Sequence, residues 1–231
     1  MRPNFCDTLP TKPARDIKAT WRSVSGRYAF RGESSVGFES TLERDFIMRT
    51  EFRVDVQDIV SQPVTLSYSM ADSRENKYTP DFLVYFRLTD EPYPLYPRPL
   101  LVEVKPYEVW TEELDELRPK WRAAIRYARE RDCDFRVHDE SRIRDRALDN
   151  IRRLGRYRVM DTPEDENRWI LDQVRTMGGT PIHYLIARHF PGEDRGVATA
   201  RIWHLIATRR LDCNVNEPLD EFTEVWATSN D

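Results

Sequence analysis

The chain has 231 residues, of which 39% are apolar, 33% charged and 11% aromatic, with a net charge of −4 and a pI near 5.7. This length allows one large domain or two smaller ones, each with a sizeable core. No run of eighteen apolar residues and no apolar leader is present, so we expect neither a membrane span nor a secretory signal, and a cytoplasmic location. The acidic balance is not that of a typical nucleic-acid-binding protein.

The cysteines and histidines give no sign of a disulfide framework or a zinc site. The chain has three cysteines, Cys6, Cys133 and Cys213. An odd number of widely separated cysteines fits reduced thiols better than disulfides. The four histidines have no Cys or His partner at zinc spacing. We therefore expect free thiols and no structural zinc.

The N-terminal third begins with a polar segment and continues into a helix. Residues 1–37 show little periodicity and are predicted to form an irregular arm, with one short strand at 27–30. From residue 38 to about 52, apolar residues recur at helical spacing. Glu39 and Glu43 lie four residues apart, hence on one face of that helix. They are either an exposed acidic edge or acids held near a positive group such as a metal.

Two hydrophobic runs, 82–86 and 100–104, predict strands joined by a proline-rich loop. Asp81 stands at the start of the first strand, and Glu103 and Lys105 share one face of the second because strand side chains alternate. A hairpin would bring these three residues together. Two acids and a lysine suit Mg²⁺, which prefers oxygen ligands. The alternative is a solvated cross-strand ion pair.

The elements after these strands complete a recognisable order. A helix is predicted from Thr111 to Arg131, kinked or divided at Pro119, followed by a strand at 135–138 and an arginine-rich helix at 143–154. The predicted elements follow the order helix, strands, helix, strand and helix. This order resembles the core of the restriction-endonuclease-like fold. We therefore predict an α/β fold in which a mixed sheet is flanked by helices.

Charge is unevenly distributed along the chain. Between residues 118 and 158 there are fourteen Lys and Arg against seven Asp and Glu, whereas residues 211–231 carry six acids and no base. The basic segment predicts a surface that follows DNA phosphates with salt-dependent affinity. The alternative is a solvated helix face. The candidate DNA-binding residues are Lys120, Arg122, Arg126, Arg129, Arg142 and Arg144.

Residues 159–231 are predicted to form a smaller winged-helix domain, since three helix patterns precede two short strands. Thr180 is predicted to cap the second helix, with Pro181 in its first turn. A basic third helix would suit a DNA major groove, with Arg195, Arg201, Arg209 and Arg210 available. The acids at this end would repel phosphates, which favours protein contacts. The predicted domains are thus an arm at 1–37, a nuclease domain at 38–158 and this C-terminal domain.

The pair Pro80-Asp81, followed by Glu103-Val104-Lys105, resembles the motif of PD-(D/E)xK nucleases. Several further segments resemble the TnsA-like endonucleases of heteromeric bacterial transposases, and the similarity runs from about Ser25 to the end of the chain. The segments that carry it are Glu39-Ser-Thr-Leu-Glu43, Ile59 through Gln62-Pro63, Tyr78-Thr-Pro-Asp81 and Val102 through Pro106. Some members of the family carry Gln where this chain has Glu103.

The resemblance implies roles for individual residues. Glu43 corresponds to the helix glutamate of the family, Asp81 to its metal-binding aspartate and Lys105 to its catalytic lysine. The expected cofactor is Mg²⁺, two ions per site and replaceable by Mn²⁺. Glu43, Asp81, Glu103 and the backbone carbonyl of Val104 would hold it, while Lys105 positions the attacking water.

The resemblance also implies a function in cut-and-paste DNA transposition. The chain would cut the 5′ side of double-stranded DNA at transposon ends, while a TnsB-like transposase cuts the 3′ side and a TnsC-like ATP-dependent regulator engages the C-terminal domain. Two alternatives stay open. One is a stand-alone restriction or repair endonuclease, and the other is a noncatalytic adaptor that bridges DNA and transposition proteins.

Overall fold

The computed structural model describes residues 9–15, 17, 24–70, 75–88 and 97–228. Much of the predicted arm, Cys6 included, and most of the proline-rich loop lie outside the described residues. The chain divides into two compact units, Met1–Ile143 and Arg144–Asp231. The division falls earlier than the predicted boundary after residue 158. No helix in the described ranges is long and apolar enough to cross a membrane.

The first unit is built on a mixed four-stranded sheet. Its described elements, in chain order, are β1 (Gly26–Phe30), β2 (Ser34–Phe38), α1 (Thr41–Glu51), β3 (Val56–Ser61), β4 (Leu66–Ser69), β5 (Glu75–Tyr78), β6 (Phe82–Phe86), β7 (Leu100–Val104), α2 (Tyr107–Glu112), α3 (Leu114–Glu130), β8 (Asp134–His138) and α4 (Glu140–Ile143). The sheet order is β3-β6-β7-β8, with β7 and β8 parallel and the other neighbours antiparallel. The predicted mixed sheet flanked by helices is thereby confirmed.

Both faces of this sheet are buried because alternate side chains of the central strands enter two different cores. On one face, Phe82 and Val102 pack with α1, whose Phe46 stacks on Phe82 with ring centroids 5.2 Å apart. On the other face, Leu83 and Leu101 are fully buried in a cluster with residues of α3. The paired strands are therefore held from both sides, which fixes the position of the residues at their ends.

Part of the predicted irregular arm forms a hairpin. The predicted strand near residues 27–30 is present as β1, and it pairs with β2, a strand that the sequence pattern did not predict. Phe30 and Val36 are buried in the same core as α1. The helix predicted from residue 38 begins only at Thr41, because Ser40 is extended and caps it by accepting a hydrogen bond from the backbone of Glu43. Glu39 therefore precedes the helix and does not share a helical face with Glu43.

The predicted helix at 111–131 is divided, but not at Pro119. The break lies at Glu113, which separates α2 from α3, and Pro119 is accommodated inside α3. The described cysteines, Cys133 and Cys213, are free and buried. Burial raises the pKa of Cys133 to about 11 and that of Cys213 to about 12, so both are protonated thiols at neutral pH.

The second unit combines helices with a small antiparallel sheet. Its elements, in chain order, are α5 (Arg146–Leu154), α6 (Glu164–Met177), β9 (Thr180–Pro181), α7 (Ile182–His189), α8 (Arg195–Ala207), β10 (Leu211–Cys213) and β11 (Glu224–Ala227). The sheet order is β10-β11-β9. The predicted cap at Thr180 is wrong, since Thr180 is extended and pairs with Val225, and α7 starts after Pro181. Packing of α5 against α8 places residues 146–154 in this unit.

Candidate functional site

Asp81 and Glu103 lie opposite each other where β6 and β7 pair. The register Phe82 to Val102 places them in adjacent positions on one face of the sheet. The backbone N–H of Asp81 donates to the carbonyl of Val102 at 3.1 Å, and Asp81 Oδ2 accepts from the backbone N–H of Val104 at 2.7 Å. The antiparallel pairing expected from the sequence thus places the two acids side by side.

Glu103 is held by a tyrosine from the neighbouring hairpin. The hydroxyl of Tyr78, the last residue of β5, donates to Glu103 Oε2 at 2.7 Å, and both side chains are buried. Burial and the charge of Glu103 raise the pKa of Tyr78, which keeps its hydroxyl a donor. Sequence reasoning gave Tyr78 no role, because no spacing rule connects it to Glu103.

Glu43 reaches the site from the first turn of α1. It is only 9% exposed, and its Oε2 accepts a hydrogen bond from the backbone N–H of Glu39 at 2.7 Å. Together with the bond from Glu43 N–H to Ser40 Oγ, this closes the start of the helix in the manner of a capping box. Glu43 therefore has a local structural role in addition to facing the other acids.

The three carboxyl groups destabilise one another's charged forms. Burial raises the pKa of Asp81 well above its ordinary value, and the charges of Glu103 and Glu43 raise it further. Burial likewise raises the pKa of Glu43 and of Glu103. Removal from water and mutual repulsion both disfavour ionised acids, so the group would be stabilised by an added positive charge.

Lys105 supplies positive charge to this group. It follows β7 directly, and its backbone N–H donates to the carbonyl of His138 at 3.0 Å. Its ammonium lowers the pKa of Glu43, Asp81 and Glu103, opposing the effect of burial in each case. The structure therefore brings all four predicted residues into one electrostatic neighbourhood.

The donor set suits a hard divalent cation, although it is not arranged as a closed set of ligands. Within the described residues, no group of three or more His, Cys, Asp or Glu side chains is placed to hold a metal ion. Each carboxylate instead accepts a hydrogen bond from the protein. Three buried carboxylates whose repulsion a cation would relieve nevertheless match the oxygen ligands that Mg²⁺ prefers. Each of these hydrogen bonds takes one oxygen of its carboxylate, so the second oxygen can coordinate an ion while the bond is kept.

The predicted DNA-binding residues lie on different elements of the structure and differ in exposure. Arg122, Arg126 and Arg129 are exposed and follow helical spacing along α3, so they form one stripe, and no ion pair among the described residues includes them. Lys120 is half-buried and its charge lowers the pKa of Glu103, which places it near the acids. The exposed Arg144 belongs to the second unit.

Arg142, the remaining predicted DNA-binding residue, lies beside α1. It lines a small cavity of about 30 Å³ with Arg49 and His138, over an apolar wall that includes Phe46. Burial and the charges of Arg142 and Arg49 lower the pKa of His138 to about 4, so its imidazole is neutral at pH 7. This cavity is large enough for a water molecule.

Comparison with known proteins finds a similarity in the central part of the first unit. Residues 54–140 match the family model described as the TnsA-like endonuclease N-terminal domain. No curated protein matches the chain significantly. The matched segment contains Asp81, Glu103 and Lys105, whereas Glu43 precedes it.

Proposed function

We propose, because residues 54–140 match the family model of the TnsA-like endonuclease N-terminal domain, that this chain is a transposition endonuclease that hydrolyses DNA phosphodiester bonds at transposon ends. The observation that carries the proposal is the placement of Asp81, Glu103 and Lys105 at the paired ends of β6 and β7, inside the matched domain. Glu43 joins them from α1. A nuclease of the PD-(D/E)xK type requires this combination of acids and lysine.

The proposed cofactor is Mg²⁺, two ions per site and replaceable by Mn²⁺. Glu43, Asp81, Glu103 and the backbone carbonyl of Val104 would hold it, and their burial and repulsion support this assignment. When bound, divalent ions polarise a phosphate, lower the pKa of water and stabilise a leaving oxygen. Hydrolytic enzymes lower the barrier by about 8–23 kcal/mol or more, while one acid or base contributes about 10²–10⁴-fold, so a lysine alone would not suffice.

The side chains around the acids have supporting roles in this mechanism. Lys105 orients the attacking water and offsets negative charge that develops on the phosphate. The hydroxyl of Tyr78 fixes one oxygen of Glu103, and the backbone N–H of Val104 fixes one oxygen of Asp81. These bonds restrict the rotamers of the two acids and hold them adjacent for binding a divalent ion.

We assign the DNA path to the exposed arginine stripe of α3. Arg122, Arg126 and Arg129 carry no ion pair among the described residues, so their charge is available to phosphates. Lys120, Arg142 and Arg144 are further candidates. The charge of Lys120 lowers the pKa of Glu103, which connects α3 to the site where cleavage would occur.

Replacing all three stripe arginines with glutamine is expected to weaken DNA binding and its salt dependence. The slope of log K against log salt should decrease by about 0.9 for each phosphate that the variant no longer neutralises. Fluorescence anisotropy with duplex DNA over a salt series measures this slope. Arg175→Gln is a matched control, because Arg175 on α6 already pairs with Asp172. An unchanged slope in the triple variant would contradict the assigned path.

We further propose that the second unit is a winged-helix domain that binds protein. The sequence of α6, β9, α7, α8, β10 and β11, with β11 central in the sheet, supports this topology. The described residues from Leu211 to Thr228 carry several acids and no Lys or Arg, which opposes contact with phosphates. The proposed partner of this surface is a TnsC-like ATP-dependent regulator.

Strand-resolved cleavage of a transposon-end duplex tests the proposed function. In the presence of TnsB-like and TnsC-like partners, the wild type should cut the 5′ side while the TnsB-like transposase cuts the 3′ side. Cleavage of naked DNA by the chain alone would favour a stand-alone restriction or repair endonuclease. Unchanged 5′ products with Lys105→Ala would favour a noncatalytic adaptor.

A further inference from the structure

An N-terminal segment far from the motif in sequence is fixed against the sheet and the β1-β2 hairpin of the first unit. This strap, residues 9–15 and 17, is anchored by Leu9, which is buried in the core shared with α3. The carbonyl of Pro10 accepts from the hydroxyl of Tyr85 at 2.8 Å, and the N–H of Ala14 donates to the carbonyl of Gln62 at 2.8 Å. A Cβ on Gly37 would lie 2.6 Å from Ile17 Cδ1, so the strap also contacts β2 closely.

Arg15 of the strap connects two segments of the first unit. Its Nε donates to Gln62 Oε1 at 2.5 Å, and its Nη2 donates to both carboxylate oxygens of Glu39 at 3.0 and 2.8 Å. One guanidinium thus joins the end of β3 to the residue before the cap of α1. A planar guanidinium can hold two acceptors in fixed relative positions, which a lysine ammonium does less well.

Both acceptors of Arg15 hold a residue of the site through the backbone. The N–H of Glu39 donates to the carboxylate of Glu43 at 2.7 Å. The N–H of Gln62 donates to the carbonyl of Asp81 at 2.7 Å. Gln62 is buried and has a φ of 46°, in the left-handed region that non-glycine residues seldom adopt, so surrounding contacts must maintain this conformation.

We propose that Arg15 is a positioning residue that sets the distance between Glu43 and Asp81 by holding Glu39 and Gln62 together. The inference rests on the proposed function, in which these two acids bind a divalent ion. Arg15 itself touches neither acid. Its effect passes through two backbone hydrogen bonds, each of which ends on one of the acids or its carbonyl.

Removing Arg15 should change the affinity for a divalent cation in opposite directions, depending on whether Arg15 acts through its charge or by positioning the acids. The Arg15–Glu39 pair is substantially exposed, with side chains 54% and 37% accessible, so its loss should change stability little. Loss of a positive charge from the protein would by itself not weaken the binding of a cation, and at short range it would tighten it. Loss of a partner that orients ligands weakens metal binding, commonly by about 10–100-fold.

The test is Mn²⁺ binding to the full chain without DNA, measured by isothermal titration calorimetry and by electron paramagnetic resonance of free Mn²⁺. Arg15→Met should bind Mn²⁺ about tenfold more weakly than the wild type, at the lower end of the range for outer partners. Arg15→Lys keeps the charge without the planar fork and should be nearly as weak. Melting temperatures measured on the same samples establish that each variant is folded.

Arg53→Met is the matched control. Arg53 makes a similar two-point contact with Asp55, at 2.9 and 2.6 Å, but has no contact with Glu39 or Gln62. It should retain the wild-type affinity for Mn²⁺.

Wild-type affinity in Arg15→Lys, beside a loss in Arg15→Met, would overturn the need for the planar guanidinium, because one ammonium contact would then be enough to hold the two segments. Wild-type or tighter affinity in Arg15→Met would overturn the role of Arg15, and equal losses in the Arg15 and Arg53 variants would overturn it as well. If the wild type itself binds no Mn²⁺, the proposed nuclease centre is contradicted instead.

Discussion

Lys105→Ala is expected to reduce cleavage of the 5′ side by about 10²–10⁴-fold, the contribution of one general acid or base. Lys105 is the residue whose charge acts on all three buried acids, and it lies directly after the strand that carries Glu103. Single-turnover cleavage of a transposon-end duplex, assembled with the partner proteins, measures the rate of the chemical step.

Lys77→Ala provides the matched control for this variant. Lys77 is an exposed lysine on β5, next to Tyr78 in sequence, and should give the wild-type rate. DNA affinity should be unchanged in both variants. The melting temperature of the metal-free protein should fall in Lys105→Ala, because the ammonium offsets the charge of three buried acids, and should be unchanged in Lys77→Ala. A wild-type rate in Lys105→Ala would remove this residue from the mechanism and favour a noncatalytic adaptor.

Asp81→Asn is expected to stabilise the metal-free protein and to abolish its stabilisation by Mg²⁺. Asparagine preserves a carbonyl oxygen that can accept from the N–H of Val104, but it removes a charge that Glu103 and Glu43 repel. Each kcal/mol of repulsion removed should raise the melting temperature by about 2–4 °C. At 100 times its Kd, Mg²⁺ should add about 2.7 kcal/mol to the wild type and nothing to the variant.

The free energy of unfolding of the metal-free protein should depend on pH, with a sign that follows from the raised pKa values of the three acids. A carboxyl whose pKa is raised by folding binds protons more readily in the folded state than in the unfolded chain. The free energy of unfolding should therefore increase as pH falls through the raised values, and the gain is complete below the ordinary values of 3.8 for Asp81 and 4.5 for Glu43 and Glu103. Asp81→Asn should show a smaller increase than the wild type.

Differential scanning calorimetry in the presence and absence of Mg²⁺, at neutral and acidic pH, measures both the stabilisation by Mg²⁺ and the pH dependence of stability. Asp134→Asn, an exposed aspartate on β8 of the same sheet, is the control and should behave like the wild type. If Mg²⁺ raised the melting temperature of the wild type and of Asp81→Asn equally, the ion would bind elsewhere. A lower melting temperature for metal-free Asp81→Asn would contradict the repulsion among the acids.

The local pattern of apolar residues in the sequence was sufficient to predict the two central strands and the pairing of their ends. The alternation of side chains puts Glu103 and Lys105 on one face, and antiparallel pairing then requires Asp81 to lie near Glu103. These relations depend on neighbours along the chain and on one hairpin. The roles of these residues in metal binding and catalysis stay predictions.

The surroundings of the acids depend on interactions between distant segments, which periodicity does not encode. The bond from Tyr78 to Glu103 spans 25 residues and that from Arg15 to Gln62 spans 47. The strap was predicted as an irregular arm because its polar, proline-containing sequence has no period, yet single anchors such as Leu9 fix it. Tertiary interactions of this kind override local propensity.

Anomalous diffraction from crystals grown with Mn²⁺ shows whether the acids gathered by β6, β7 and α1 form the divalent-metal centre that phosphodiester hydrolysis requires. We expect an anomalous peak about 2.1 Å from carboxylate oxygens of Asp81 and Glu103, with a carboxylate oxygen of Glu43 toward it and no such peak in Asp81→Asn. Mn²⁺ bound only elsewhere, with Asp81 and Glu103 still bonded to Val104 and Tyr78 alone, would contradict it.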